Sequence, residues 1–116
     1  MSRLGTILNA LVNRTGVSST EVTSTYGTLY LFKDNSTKTV RAYGYARSGS
    51  NMTTSTILFT VPSGYRPSET KYFPIVGTTD TQYTAAYYGI VDSDGNVKQN
   101  LGGSAREVFI ATEWEI

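Results

Sequence analysis

Short apolar runs separated by strong turn signals fill residues 58–96, and this pattern constrains the fold more than any other feature of the sequence. Residues 58–61 are apolar and β-branched, as in a strand, and the run stops at Pro62-Ser63-Gly64. Pro at the second place and Gly at the fourth place predict a type I turn over Val61–Gly64. The chain therefore leaves one strand through a proline-containing loop before the next strand begins.

Two more strands are predicted within the same segment, over residues 71–76 and 83–91. The second ends in Asp92-Ser93-Asp94-Gly95-Asn96, which is typical of a tight hairpin. Gly95 is placed to adopt a positive φ, a conformation that strains other residues. An EF-hand calcium loop would need its glycine at the sixth place, so we interpret this segment as a hairpin without a metal.

Residues 37–47 alternate in character from one position to the next, as in a strand with one buried face. One face carries Val40, Ala42, Gly44 and Ala46, and the other carries Arg41, Tyr43, Tyr45 and Arg47. Residues 107–116 also alternate, whereas residues 27–33 are apolar on both faces. Two apolar faces indicate a central strand or one covered by a neighbouring subunit.

The whole pattern predicts an all-β fold. About eight strands with short turns and no βαβ unit are typical of a β-sandwich or jelly roll. A chain of 116 residues is sufficient for one such domain. We expect residues 17–24 to be a linker or an edge strand, residues 48–51 to be a loop, and residues 53–61 to be a strand.

Residues 2–14 carry a helical pattern, with one apolar stripe formed by Leu4, Ile7, Leu8, Leu11 and Val12. A helix of about a dozen residues is marginal alone, so this stripe needs a partner. Either the helix packs on its own sheet, or several copies associate through heptad-like positions. We therefore expect residues 1–16 to be a helical segment and residues 17–116 to be the β domain.

Composition excludes several classes of function. Without Cys or His, the chain lacks a thiol nucleophile, the usual general base and the commonest zinc ligand. A net charge of +1 with 16% charged residues argues against nucleic-acid binding. No apolar run could span a bilayer or serve as a signal peptide, so we expect a soluble protein without an export signal. Glu113 and Glu115 share a strand face that we interpret as solvated, and we predict no enzymatic activity, metal or cofactor.

The turn and the hairpin occur in an order that resembles a known family. The runs are Phe59-Thr60-Val61-Pro62-Ser63-Gly64-Tyr65-Arg66-Pro67, Tyr72-Phe73-Pro74-Ile75 and Gly89-Ile90-Val91-Asp92-Ser93-Asp94-Gly95-Asn96-Val97. They resemble the C-terminal head domains of tail-fibre and baseplate receptor-binding proteins from phages and prophages of Gram-positive bacteria. The resemblance covers about the last two thirds of the chain.

This resemblance implies a homotrimeric head domain on the virion tail, which binds a host cell-wall or surface polysaccharide without catalysis. Other tail and baseplate proteins would be its structural partners. It also favours a short helical bundle at residues 1–16 that joins three heads to a shaft. Two alternatives stay open: a structural trimerisation or collar module without a receptor site, and a glycan-cleaving tail tip.

Two sets of residues are candidates for contact with partners. The Arg-Tyr stripe, defined as Arg41, Tyr43, Tyr45 and Arg47, combines residue types enriched at interfaces. It could pack beneath an opposite sheet, form a subunit interface together with Leu4, Ile7, Leu8 and Leu11, or bind a ligand. Saccharide binding is expected in loops 48–51, 78–82 and 102–106 with nearby aromatic residues. The ligand candidates are Asn51, Asp80, Gln82, Tyr83, Tyr88 and Arg106.

Overall fold

A computed structural model describes residues 16–79, 85–101 and 105–116, and these residues form eight β-strands without a helix. The strands are β1 (Val17–Thr23), β2 (Gly27–Asp34), β3 (Thr39–Met52), β4 (Phe59–Thr60), β5 (Lys71–Thr79), β6 (Ala85–Val91), β7 (Asn96–Asn100) and β8 (Ala105–Glu115). The predicted all-β class is confirmed. The predicted helix, with its interface candidates Leu4, Ile7, Leu8 and Leu11, lies outside the described residues.

All eight strands belong to one antiparallel sheet with the order β1-β2-β3-β8-β5-β6-β7-β4. Its two edge strands, β1 and β4, approach each other, so the sheet is nearly closed into a barrel. Residues 17–24, predicted as a linker or an edge strand, contain the edge strand β1. The apolar strand at residues 27–33 corresponds to β2, which lies between β1 and β3.

The inward face of the sheet forms a continuous apolar core. Alternation along β3 and β8 behaves as predicted, since Val40, Ala42 and Ala46 are buried, as are Val108, Ile110 and Trp114. On β2 only Leu29 and Leu31 are buried, whereas Tyr30 faces solvent. Gln99 of β7 is also buried, and its Nε2 donates a hydrogen bond to the Met52 carbonyl at 2.8 Å. This bond connects β7 to the end of β3 across the interior.

The proline-containing loop is fixed to the core by its backbone carbonyls. The Tyr65 amide donates to the Pro62 carbonyl at 3.1 Å, and Gly64 has a φ of 92°. The turn is therefore one residue later than predicted, because Gly64 supplies the positive φ at its third position. Indole Nε1 of Trp114 donates to the Tyr65 carbonyl at 2.7 Å. Lys33 Nζ donates to the Gly64 carbonyl at 3.1 Å and lies 4.7 Å from the centre of the Tyr65 ring.

The hairpin between β6 and β7 confirms its sequence prediction. The Asp92 carboxylate accepts hydrogen bonds from the Asp94 and Asn96 amides, each at 3.0 Å. Gly95 has a φ of 89° and is buried against the proline-containing loop. The Val61 amide donates to the Gly95 carbonyl at 2.8 Å, so the turn and the hairpin are directly connected. The Asp92 carboxylate therefore stabilises the turn through these two bonds, as in an Asx-type motif.

Two sequence predictions near the middle of the chain are wrong. Residues 48–51 belong to β3, whose pairing with β8 shifts register between Arg47 and Met52. The strand predicted over residues 53–61 is reduced to β4, because residues 53–56 form a turn. In that turn the Thr53 amide donates to the Thr56 hydroxyl at 3.0 Å. Local bonds of this kind compete with sheet pairing, which β-propensity alone does not reveal.

The two ends of the β domain lie at the same end of the sheet, which we call the proximal pole. Val17 pairs with Asp34, and Thr39 pairs with Glu115. At the opposite end, the distal pole, Met52 and Thr79 both pair with Ala105. Because these pairs flank the predicted ligand loops, the loop flanks converge at the distal pole.

Among the residues that the structure describes, no helix is long and apolar enough to cross a membrane.

Candidate binding surface

The outward face of β3 and β8 carries two rows of opposite charge. Since the strands are antiparallel neighbours, Arg41 lies beside Glu113 and Arg47 lies beside Glu107. The Nε of Arg41 is 3.6 Å from Oε2 of Glu113, and the Nε of Arg47 is 3.4 Å from Oε1 of Glu107. The sequence predicted the arginine row but not the glutamates that pair with it.

Apolar side chains fill the space between the two ion pairs. Tyr43 lies beside Ala111 and Tyr45 beside Phe109, and Val76 of β5 continues the second row. Tyr43, Tyr45 and Phe109 are 44%, 52% and 49% exposed, respectively. Of the three alternatives for the Arg-Tyr stripe, packing of its tyrosines beneath an opposite sheet of the same chain does not fit this exposure, and the subunit interface and the ligand surface stay open. We call this surface the β3–β8 patch, formed by Arg41, Tyr43, Tyr45, Arg47, Glu107, Phe109, Ala111 and Glu113.

A second aromatic surface lies on β5 and β6. The rings of Tyr72 and Tyr88 meet edge to face, with their centres 5.8 Å apart. Nδ2 of Asn100 on β7 donates to the Tyr88 hydroxyl at 2.7 Å, which fixes the half-buried Tyr88. Tyr72 is 62% exposed and contacts Tyr88 from the neighbouring strand. The Tyr72–Tyr88 platform, named for its two rings, thus presents the exposed Tyr72 ring beside a Tyr88 ring that Asn100 holds in place.

An open cleft of about 430 Å³ separates the platform from the β3–β8 patch. Tyr72, Pro74 and Lys71 line one side, and Tyr43 and Glu113 line the other. Its walls therefore combine two tyrosine rings with an ammonium group and a carboxylate. This combination of apolar faces and a few polar groups is typical of sites that hold small polar ligands.

A neighbouring cleft of about 520 Å³ lies on the other side of the Arg41–Glu113 pair. Phe32, Tyr43 and Asp34 contribute to its walls. The Ser36 hydroxyl donates to Asp34 Oδ1 at 2.7 Å, and this bond, with the Ser36 and Thr37 amides, lowers the pKa of the Asp34 carboxyl. An aspartate is an anion at neutral pH with or without this shift, and Arg41 is a cation, so this cleft carries charges of both signs.

The sequence matches no protein-family model and no curated protein. The proposal for its function therefore rests on the surface and on the residue order of the sequence.

The predicted ligand residues have different outcomes. Tyr88 is part of the platform, as described above, and Arg106 is exposed on β8 near the distal pole. The strand β5 lies between them in the sheet order. Asn51 lies in β3, but its side chain is outside the described part of the chain. Three candidates fall wholly outside the described residues: Asp80, Gln82 and Tyr83.

Tyr72 is the functional candidate that sequence reasoning missed. Residues 71–76 alternate, and the structure places Phe73 and Ile75 inside and Tyr72 outside. Pro74 is also exposed next to Tyr72. The signal was therefore present, because an aromatic residue opposite two buried apolar residues must face solvent or a partner.

Proposed function

We propose that this chain is a non-catalytic receptor-binding domain of a phage tail and that it recognises a saccharide on the host surface. The observation that carries the proposal is the exposed ring of Tyr72, which meets Tyr88 edge to face, while Asn100 holds Tyr88 in place through a hydrogen bond. Sugar rings present apolar C–H faces that pack on such aromatic surfaces, while their hydroxyls need polar partners. The residue order that resembles tail receptor-binding proteins supplies the biological setting.

The cleft beside the platform supplies the polar partners. Lys71 and Thr112 line it, and Glu113 stands on its far wall. An ammonium group can donate to sugar hydroxyls, and a carboxylate can accept from them. Because the cleft is open and shallow, we expect weak binding by each site. Affinity for a whole cell would then depend on several copies acting together.

The assembly is part of the same proposal. We expect a homotrimer, with residues 1–16 as the helical connection to a shaft and to other tail or baseplate proteins. The sandwich or jelly-roll organisation of the head rests on the strand pattern of the sequence, whereas its place on the virion tail follows from the family resemblance alone. The nearly closed sheet supports a rigid scaffold for the platform, since β5, β6 and β7 are adjacent in it.

Replacement of Tyr72 or Tyr88 by Ala tests the platform directly. Tyr72→Ala removes the stacking face and Tyr88→Ala removes its support, so each should weaken binding about tenfold or more, as for an aromatic hot spot. The measurement is binding of purified Gram-positive cell-wall saccharides on a glycan array, followed by titration of the best hit.

Tyr30→Ala provides the matched control for both variants. Tyr30 is an exposed outward tyrosine on β2, outside the platform and its cleft. We expect this variant to bind like the wild type, and all three variants to keep their melting temperatures within a few degrees. If Tyr72→Ala and Tyr88→Ala bind the same saccharide as tightly as the control, the platform is not the site.

A structural module without a receptor site is the second candidate, and the exposed β3–β8 patch favours it. This patch offers apolar and charged groups that could join subunits without any ligand. A glycan array without hits, from a protein that is folded and assembled, would support this alternative. Release of reducing ends from cell wall would instead indicate a glycan-cleaving tip.

A further inference from the structure

The β3–β8 patch has a charge pattern that is complementary to itself. Its β3 side carries Arg41 and Arg47 at the two ends, and its β8 side carries Glu113 and Glu107 at the same two levels. One strand is therefore basic at both ends, and its neighbour is acidic at both ends. The two middle levels are apolar or aromatic on both strands.

Stability of the single chain does not account for this pattern. The Arg41–Glu113 side chains are 66% and 62% exposed, and exposed ion pairs contribute little to folding. Phe109 and Tyr45 also leave about half of their surface in water. Exposed apolar groups bordered by charges are typical of an interaction surface rather than of a solvated strand face.

We propose that two copies of this chain associate face to face through the β3–β8 patch. In the arrangement that we infer, a two-fold axis runs roughly along the strands, between β3 and β8. This axis places β3 of each copy over β8 of the other. Each arginine then faces a glutamate of the second copy, at both ends of the patch.

The apolar levels also fit this arrangement. Tyr43 of one copy lies over Ala111 of the other, so a large ring meets a small side chain. Tyr45 lies over Phe109, which brings two aromatic rings together. Packed sheets are about 10 Å apart, a distance that interdigitating side chains of this size can fill.

The other face-to-face arrangement is excluded by charge. A two-fold axis across the strands would place β3 on β3 and β8 on β8. Arg41 would then face Arg47, and Glu113 would face Glu107, so that like charges meet at every end of the patch. Like-charge contacts of this kind suppress a wrong pairing. The pattern therefore selects one of the two arrangements.

This inference does not rest on saccharide binding, but Tyr43 and Glu113 belong to both surfaces, so pairing of two copies and ligand binding in the cleft compete for them. It also differs from the predicted trimer, which has no two-fold axis. The Arg-Tyr stripe, a candidate for the trimer interface together with Leu4, Ile7, Leu8 and Leu11, is assigned here to the two-fold contact instead. If both contacts exist, the two-fold contact joins trimers in pairs. In either case, loss of the two-fold contact halves the mass of the particle.

Charge reversal on one strand tests the pairing. The variant R41E/R47E makes both strands acidic, and the variant E107R/E113R makes both strands basic. Each variant should associate at least about a hundredfold more weakly than the wild type, because like charges then face each other in every arrangement. Light scattering and sedimentation at low salt should show half of the wild-type mass, since salt screens exposed charges.

Two further samples show whether a loss of pairing comes from charge repulsion or from misfolding. A mixture of the two variants should regain the full mass, because glutamates of one chain then face arginines of the other on both strands. The variant with all four reversals should also pair like the wild type. Recovery in both samples supports the proposal, whereas a mixture that stays at half mass overturns it.

The apolar centre gives a second, uncharged readout. Phe109→Ser should weaken pairing about tenfold or more through lost aromatic contact. Ile57→Ser is the matched control, because Ile57 is 47% exposed but lies in the loop before β4. A wild-type protein that is monomeric at high concentration, or a mass that neither half-reversed variant changes, overturns the proposal.

Discussion

Replacement of Trp114 by Ala should lower the free energy of unfolding by about 3–5 kcal/mol, as for other buried tryptophans. Trp114 is buried in the core cluster, where β8 passes beneath the proline-containing loop. The substitution leaves a cavity and also removes the only donor that Trp114 gives to the Tyr65 carbonyl. Because small domains are stable by only about 5–15 kcal/mol, much of the stability should be lost. Urea denaturation, followed by the fluorescence of the tyrosines, would measure the free energy of unfolding of both proteins.

Trp114→Phe separates the two contributions. Phe keeps most of the apolar volume but cannot donate a hydrogen bond, so we expect a loss of about 1–3 kcal/mol from the unpaired carbonyl. If Trp114→Phe is as damaging as Trp114→Ala, the hydrogen bond matters more than the cavity. If both variants unfold like the wild type, the loop is not anchored through this indole.

Replacement of Gly95 by Val should cost about 2–4 kcal/mol, through backbone strain and a disturbed hydrogen bond. Gly95 has a φ of 89°, and a Cβ there would lie 2.5 Å from the Val61 carbonyl oxygen and 2.8 Å from Arg66 Nε. Arg66 Nε donates to that same carbonyl at 2.8 Å, so the added side chain would clash with both the donor and the acceptor of this hydrogen bond. The measurement is again the free energy of unfolding, together with the melting temperature.

Gly64→Val is the matched control for this prediction. Gly64 also has a positive φ, of 92°, but only Lys33 Nζ comes within 4 Å of its Cβ position, at 3.7 Å. It should therefore show only the strain of the left-handed conformation, about 1–2 kcal/mol. Equal losses for Gly95→Val and Gly64→Val would mean that the crowding around Gly95 relaxes without cost.

Local patterns predicted the strand segments in which one face is buried and the other is exposed, which for β3 means residues 39–47. The alternation in β3 and β8 reflects one buried face, and the glycine in the hairpin reflects one backbone angle. Both signals lie within a few consecutive residues, so the sequence alone carries them. The pattern did not predict the turn at residues 53–56, because threonine also favours strands. In this turn a threonine hydroxyl accepts a backbone hydrogen bond that a neighbouring strand would otherwise accept.

Neighbours across the sheet could not be predicted in the same way. The alternation of β3 showed that Arg41 and Arg47 share a face, but not that β8 lies beside them. That pairing joins segments more than fifty residues apart in the chain, and an alternating pattern fits any neighbour. The platform was half predicted for the same reason. Tyr88 was a candidate, whereas its partner Tyr72 comes from another strand.

The proximal pole has a practical consequence for attachment. The strands β1, β2, β3 and β8 are consecutive in the sheet, so three strand spacings separate Val17 from Glu115, at most about 14 Å because the sheet curves. A carrier fused before Val17 and a carrier fused after Glu115 would therefore hold the domain from the same side. In both fusions the distal pole points away from the carrier. A surface coated with either fusion would display the same end of the molecule to a cell, and the Tyr72–Tyr88 platform would lie on the half nearer the carrier, because Lys71 and Tyr72 are at the proximal end of β5.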